Sequence, residues 1–272
     1  MKRLIYQVYT GKPSKLYDYC TSSVKKYAES IHDKYRHKVD YIIQKEPIMK
    51  IKPDVFATDR SKESYEKYGG FLPIFEKENA FNYWSKYDQI AIIDADIWIR
   101  PGSPDIFKEL DTDIEFAGMV ERSAPVLPWY KEKLINYTRM QYSSLQDVDW
   151  KWNNSGGHFY NMGMMLMSRK ITKYLKGKTS RYETGRQFIE RPEFKKFVDG
   201  IGPWKWSTDQ TLLNYWVKKE NMKQKELSWK WNALYTAVSN DKIKEANFVH
   251  FFLKDKLPNK GENVEQLMKD VK

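Results

Sequence analysis

One apolar segment near the middle of the chain, residues 90–99 (IAIIDADIWI), constrains the fold more than any other part of the sequence. Its isoleucines predict a buried strand, which the turn residues at 101–104 (PGSP) close. Two carboxylates, Asp94 and Asp96, interrupt this strand two positions apart, so both side chains would leave the same face. Because unpaired acids are costly inside an apolar strand, the pair is the first candidate for a functional site.

Strands and helices alternate in the first half of the chain. A strand at 4–11 precedes a helix-like stretch from Ser14 to about His32, in which apolar residues recur near helical spacing. A second strand is predicted at 39–43, followed by a broken helical stretch at 64–84. This alternation predicts an α/β fold with a mostly parallel, doubly wound central sheet flanked by helices.

The second half of the chain is less regular. Strands are predicted at 163–167 and 246–252, and a helix at 208–219. The polar and aromatic segments 121–157 and 176–206 are typical of loops with short helices. Since long loops in a compact enzyme commonly face the substrate, we expect these two segments on the acceptor side of a site.

Composition narrows the class of protein. Hydrophobic residues are 41% and aromatic residues 15% of the 272, which excludes a disordered chain. The formal charge of +11 favours anionic partners such as nucleic acid, a membrane surface or phosphorylated small molecules. Cys20 is the single cysteine, which excludes an intramolecular disulfide.

The sequence also bears on localisation. The N-terminus does not resemble a signal peptide, and no apolar run approaches the roughly 20 residues that span a membrane. We therefore expect a cytoplasmic protein with at most peripheral membrane contact.

The carboxylate pair suits a hard divalent cation. Open α/β sheets bind ligands at the carboxyl ends of their strands, where Asp94 and Asp96 are expected. Both side chains could hold one Mg²⁺ or Mn²⁺ ion that bridges a diphosphate. A bare D-x-D also occurs at solvated strand ends and in turns, so the pair alone leaves a structural explanation open.

Residues 90–107 resemble the D-x-D segment of GT-A glycosyltransferases, particularly family 8, which includes glycogenin and bacterial lipopolysaccharide galactosyltransferases. Further matching segments follow in the family's order: 159–168 with Asn161 and Gly163, 207–216 with Asp209, Gln210 and Asn214, 229–234 with Asn232, and 250–256 with His250 and Lys256. The ordered set is much more specific than any one member, and it covers about residues 4–256.

The resemblance implies a single GT-A-like (Rossmann-like) domain over 1–260, with a nucleotide-binding half at about 1–104, an acceptor half at 105–260 and a C-terminal tail at 261–272. It implies transfer of a sugar from a nucleotide-sugar donor, a UDP-sugar first among the candidates, to a hydroxyl of a glycan, lipid-linked or protein-linked acceptor. The family retains the configuration at the anomeric carbon. No nucleic-acid partner is expected.

The resemblance also implies roles for particular residues, all of which except Thr10 match the family's motifs. The metal ligands would be Asp94, Asp96 and His250; the substrate-binding residues Thr10, Asn161, Gly163, Asn232 and Lys256; and the catalytic residues Asp209 and Gln210. An imidazole ligand favours Mn²⁺ over Mg²⁺. The chain departs from the family at Thr10-Gly11-Lys12, where an acidic residue is common, and at Leu253 and Leu257-Pro258 in the last segment.

Structural explanations stay open for several of these residues. His250 could be a hydrogen-bonded core residue and Lys256 a solvated lysine. Gly163 could mark a bulge, and Asp209 could be an acid favoured by the helix dipole. Lys67 and Lys77 are weaker candidates for donor contacts, for which solvated lysines are the preferred interpretation. The two long segments contain Trp129, Trp150, Trp152, Trp204 and Trp206, of which we expect one or two at the acceptor.

Three rival functions fit parts of the sequence. Haloacid dehalogenase-like phosphatases also end an apolar strand in D-x-D, but they carry Thr or Val where this chain has Trp98, and their motif normally opens the domain. A basic polyanion-binding protein fits the charge of +11, although basic and acidic residues alternate along the chain instead of forming one stripe. The third is a protein that binds sugar nucleotides without transferring the sugar.

Overall fold

The computed structural model describes residues 1–33, 36–175, 177 and 182–272. The strands in these residues are β1 (Lys2–Val8), β2 (Lys38–Gln44), β3 (Gln89–Ile93), β4 (Ile97–Ile99), β5 (Phe116–Val120), β6 (Tyr160–Ser168), β7 (Gln224–Leu227), β8 (Ala233–Leu234) and β9 (Phe248–His250). The α-helices are α1 (Lys15–Ser30), α2 (Asp59–Tyr68), α3 (Pro128–Tyr142), α4 (Gly185–Ile189), α5 (Lys195–Asp199), α6 (Asp209–Lys219), α7 (Asn240–Ile243) and α8 (Val264–Val271).

The central sheet has the strand order β2-β1-β3-β6-β5-β7. Strand β6 runs antiparallel to both of its neighbours, whereas the other neighbouring pairs are parallel. Apolar side chains on both faces of this sheet belong to separate core clusters, as expected for a sheet covered on both sides. The predicted α/β class with a mostly parallel central sheet is confirmed.

The apolar segment 90–99 is two strands that belong to two sheets. Strand β3 pairs with β1 and β6 in the central sheet, whereas β4 pairs with β9 in a three-stranded sheet of order β4-β9-β8. The prediction of one continuous strand was therefore wrong. Asp94 and Asp96 lie on the turn between the two strands, where the chain changes sheets at the carboxyl end of β3. Their side chains are brought together by this turn and not by strand alternation.

The predicted helices near the site are confirmed. Ser14 caps α1 by accepting a hydrogen bond from the backbone N–H of Tyr17, and Thr208 caps α6 by accepting one from Gln210. The broken stretch 64–84 consists of the end of α2, a left-handed Gly69 with φ 68°, and a 3₁₀ segment over Pro73–Tyr83. The 3₁₀ segment lies against the central sheet and carries Lys77 to the carboxyl edge of β3.

The C-terminal segment 261–272, expected to be a tail, contains helix α8. Leu267, Met268 and Val271 are buried in a cluster that also contains Leu16 and Cys20 of α1. This segment is therefore part of the folded domain. The segment 121–157 contains α3. The described part of the segment 176–206 contains α4 and α5, and residues 176 and 178–181 lie outside the described residues. Among the described helices, none combines the length and apolar character needed to cross a membrane.

Candidate metal centre and active site

Two carboxylates and one imidazole converge beyond the carboxyl end of β3. The antiparallel pairing of β4 with β9 sets Ile97 opposite His250, which brings the imidazole beside the Asp94–Asp96 turn. His250 Nε2 lies 3.3 Å from Asp96 Oδ1 and 3.9 Å from Asp94 Oδ2. One ligand atom from each of the three residues lies within 4.8 Å of the other two. Two carboxylates with one imidazole are a donor set that fits Mn²⁺ and also accepts Mg²⁺.

The electrostatics of this cluster favour a bound positive charge. Burial, with a smaller contribution from the neighbouring Asp96, raises the pKa of Asp94 to about 6 against the opposing effect of Lys77. Burial lowers the pKa of His250, but the attraction of Asp96 and Asp94 outweighs burial and leaves this pKa above its usual value. The two acids therefore favour the proton that makes the imidazole positive. A divalent cation would replace that proton.

Lys77 is part of this site, contrary to the interpretation that it is a solvated lysine. Its Nζ lies 2.8 Å from Asp94 Oδ1 and 2.7 Å from Asp209 Oδ2, and it donates to the carbonyl of Met162. Burial lowers the pKa of Lys77, but Asp209 and Asp94 reverse this effect, so the side chain stays charged. Lys67, in contrast, is exposed and pairs with Glu63 on its own helix.

The first turn of α6 forms the opposite wall of the site. Asp209 is buried and is held by Lys77, while the side-chain oxygen of Gln210 accepts the backbone N–H of Met162 at 3.1 Å. Asn214, one turn later, exchanges hydrogen bonds with the backbone of Tyr160. These contacts tie α6 to β6 and fix Asp209 and Gln210 relative to the Asp94–Asp96 turn.

Gly163 is required by the imidazole that lies against it. A Cβ at this position would lie 2.4 Å from Cε1 and 2.7 Å from Nδ1 of His250. The Gly163 N–H donates to Asn161 Oδ1 at 2.9 Å, and the same oxygen accepts from Asn232 Nδ2 at 2.8 Å. The predicted substrate-binding residues Asn161 and Gly163 are therefore in contact with the side chains of Asn232 and His250.

A cavity of about 420 Å³ joins these groups. Its lining includes the predicted residues Asp94, Asp96, Asn161, Gly163, Asp209, Gln210 and His250, together with Lys77, Glu121, Tyr130, Lys133, Tyr137 and Trp206. Asn232 lies behind His250 and is fully buried. Of the five tryptophans in the two long segments, Trp206 lines the cavity.

Thr10 and Lys256 do not line this cavity. Thr10 follows β1 at the same edge of the sheet, and its role stays a prediction. Lys256 is exposed and its Nζ lies 3.9 Å from the centroid of the Trp129 ring, so a donor contact would require the side chain to leave that ring. Lys254, two residues earlier, lies with its Nζ 3.6 Å from the centroid of the Tyr17 ring.

The sequence interpretation missed Glu121. This carboxylate follows β5 directly, is 3% exposed, and accepts hydrogen bonds from Tyr130 Oη at 2.7 Å and Asn161 Nδ2 at 2.6 Å. Burial raises its pKa, while these two hydrogen bonds lower it. An acid immediately after an apolar strand was the available signal, the same signal that Asp94 gives after β3.

Solved structures of the same fold are glycosyltransferases. Mouse xyloside xylosyltransferase 1 has a TM-score of 0.51 at 11% identity, covering 95% of this chain and 100% of that chain. The galactosyltransferase LgtC in complex with donor and acceptor sugar analogs has a TM-score of 0.50 at 11% identity, covering 98% and 95%. An active-site mutant of LgtC has a TM-score of 0.51 at 12% identity, covering 98% and 96%.

At these identities the likeness establishes the fold, which is the GT-A glycosyltransferase fold that the sequence predicts. No protein-family model matches the sequence, and no curated protein matches it.

Proposed function

We propose that this protein is a metal-dependent glycosyltransferase that moves a sugar from a nucleoside-diphosphate sugar, with a UDP-sugar as the first candidate, to a hydroxyl of a carbohydrate or glycoconjugate. The observation that carries the proposal is the convergence of Asp94, Asp96 and His250 on one face of a cavity whose other wall holds Asp209 and Gln210. The GT-A fold of the chain supports this interpretation.

The charges of the cavity suit a reaction in which a diphosphate leaves. The carboxylates of Asp94, Asp96, Glu121 and Asp209 outnumber the ammonium groups of Lys77 and Lys133 in this cavity, so the site has an acidic surplus that a divalent cation offsets. A cation held by Asp94, Asp96 and His250 would supply the positive charge that stabilises a leaving diphosphate. Lys77 keeps Asp94 and Asp209 in fixed positions because it is hydrogen-bonded or ion-paired to both.

Gln210 is proposed to support the anomeric face of the donor sugar. Its side-chain oxygen is held by the Met162 N–H, which fixes the orientation of an uncharged amide at the cavity wall. An amide is a poor nucleophile, so we infer positioning and electrostatic support without a covalent intermediate. Asp209, held by Lys77, is proposed to bind sugar hydroxyls.

We further propose that the configuration of the anomeric carbon is retained. A retaining front-face reaction needs no strong side-chain base, because an oxygen of the leaving phosphate can accept the proton of the acceptor. Glu121 is a fourth carboxylate in the cavity lining, beside Asp94, Asp96 and Asp209, and both of its oxygens already accept hydrogen bonds. An NMR time course that shows inversion would contradict retention and would point to Glu121 as the base.

A thermal-shift panel of nucleotides and nucleotide sugars, with and without Mn²⁺, tests the proposal. A ligand at 100 times its dissociation constant adds about 2.7 kcal/mol to the stability of the folded state. We expect a shift with a nucleotide sugar that depends on Mn²⁺, is lost in Asp96→Asn, and persists in Asp113→Asn, which changes an exposed aspartate. No shift with any nucleotide would refute the transferase proposal. A shift without turnover would instead favour the sugar-nucleotide-binding alternative.

A further inference from the structure

A continuous chain of buried hydrogen bonds leads from Glu121 to the imidazole of His250. Tyr130 Oη donates to Glu121 Oε2 at 2.7 Å, and Asn161 Nδ2 donates to Glu121 Oε1 at 2.6 Å. Asn232 Nδ2 then donates to Asn161 Oδ1 at 2.8 Å, and Asn232 Oδ1 lies 3.0 Å from His250 Nδ1. Glu121, Asn161, Asn232 and His250 are each at most 6% exposed, so water does not replace these partners.

The carboxylate of Glu121 and the backbone N–H of Gly163 fix the direction of every hydrogen bond in this chain. A carboxylate accepts hydrogen bonds, so Asn161 must turn its amide nitrogen toward Glu121. The backbone N–H of Gly163 donates to the same side chain from the other side and requires the oxygen there. Asn232 must in turn direct its nitrogen toward Asn161 and its oxygen toward His250.

The last bond decides which ring nitrogen of His250 can bind a cation. An oxygen at Nδ1 requires the N–H to be on Nδ1, so the lone pair of the neutral ring lies on Nε2. Nε2 is the nitrogen that faces Asp96 and Asp94. With the opposite amide orientation at Asn232, the hydrogen would move to Nε2 and block the ligand position.

We propose that Glu121 is a positioning residue, which acts through Asn161 and Asn232 to hold His250 in the Nδ1–H tautomer with Nε2 available as a metal ligand. This inference rests on the proposed function for its metal, but the tautomer itself is a property of the chain alone. Removing a residue that hydrogen-bonds directly to a metal ligand, as Asn232 does to His250, typically changes metal affinity about 10- to 100-fold. Glu121 acts on His250 through two further side chains, so its removal should change the affinity by no more than this.

The test compares Glu121→Gln with Glu115→Gln. Glu115 is a matched control because it is 2% exposed, precedes β5 as Glu121 follows it, and accepts a tyrosine hydroxyl from Tyr174 at 2.9 Å. Nitrogen-15 NMR of the metal-free protein, followed upward in pH until the His250 ring has lost its extra proton, reports the tautomer of each of the four histidines. Calorimetry at neutral pH reports the dissociation constant for Mn²⁺.

We expect the Nδ1–H tautomer for His250 in the wild type and in Glu115→Gln. In Glu121→Gln we expect the Nε2–H form to appear and the Mn²⁺ dissociation constant to rise, by at most the roughly 10- to 100-fold that loss of a direct partner of a metal ligand causes. An unchanged ring tautomer or an unchanged Mn²⁺ affinity in Glu121→Gln overturns the proposal. If that variant does not fold, an Nε2–H ring in the wild type overturns it as well. A wild type with the expected tautomer that transfers no sugar would contradict the proposed function and leave this inference standing.

Discussion

Single residues decide how closely the ligand groups of the site approach one another. The absence of a side chain at Gly163 leaves room for the His250 ring, whose Cε1 would lie 2.4 Å from an added Cβ. Lys77 holds Asp94 through Oδ1, whereas the imidazole faces Oδ2, and it also holds Asp209. The geometry of the metal centre therefore depends on one small residue and one cation in addition to its ligands.

We predict that Gly163→Ala weakens Mn²⁺ binding at least about tenfold, because the added methyl group displaces the His250 ring. Calorimetric titration with Mn²⁺ measures the effect. Gly118→Ala is the control, since its Cβ would meet the side chain of Tyr160 at 3.2 Å in the same sheet, away from the ligands. Wild-type affinity in Gly163→Ala would show that His250 is not a ligand.

The affinity for Mn²⁺ should rise with pH. Burial raises the pKa of Asp94 to about 6, and the carboxylates raise the pKa of His250 above its usual value despite burial, so both groups are protonated in acid. A cation must displace these protons, and raising the pH removes them beforehand. Calorimetry between about pH 5.5 and about pH 8 measures this trend. Affinity that is flat or falls with pH would exclude these two groups as ligands.

Replacing Gln210 by Ala should lower the turnover number about 100- to 1,000-fold and leave the Michaelis constant for the donor nearly unchanged. This pattern identifies a contact that matters mainly in the transition state. Steady-state kinetics measure both constants. Gln224→Ala is the control, because the Gln224 amide at the start of β7 donates to the backbone carbonyl of Met222, outside the cavity. A raised Michaelis constant at normal turnover would assign Gln210 to ground-state binding instead.

At the scale of secondary-structure elements, the site forms where one strand ends and another sheet begins. The turn after β3 carries the carboxylates, the pairing of β4 with β9 supplies the imidazole, and the first turn of α6 closes the cavity. Helix α8 stabilises the three-stranded sheet from outside, because Arg100, which follows β4, donates to the carbonyl of Val271 at 2.7 Å.

Leu267→Ala in α8 should lower the free energy of unfolding by about 2 to 5 kcal/mol, since Leu267 is fully buried between α8 and the domain. Urea denaturation measures the change. Gln266→Ala, exposed on the same helix, should stay within about 0.5 kcal/mol of the wild type. Equal stability of the two variants would mean that α8 is a dispensable tail.

The sequence predicts those elements whose evidence is local. Periodicity and caps place α1 and α6, and the apolar runs place β1, β3 and β6. It does not predict the break between β3 and β4, because the partner of β4 lies about 150 residues later in the chain. The burial of Lys77 escapes prediction for the same reason, since it depends on Asp209, a distant acid.

At the scale of the whole molecule, the net charge and the charge of the site have opposite signs. The chain carries +11, which attracts anionic ligands at long range. The cavity contains four carboxylates, those of Asp94, Asp96, Glu121 and Asp209, against the ammonium groups of Lys77 and Lys133. A polyanion alone is repelled by this cavity, whereas an anion that arrives with a divalent cation is not.

The most direct test of the metal-dependent transferase is sugar transfer itself, followed by release of the nucleoside diphosphate from a panel of nucleotide sugars and carbohydrate acceptors. We predict turnover with Mn²⁺ that stops after chelation, returns when Mn²⁺ is restored, and is lost in Asp96→Asn while that variant stays folded. Full turnover in chelator-treated protein, or in Asp96→Asn, would contradict the role assigned to the Asp94, Asp96 and His250 centre.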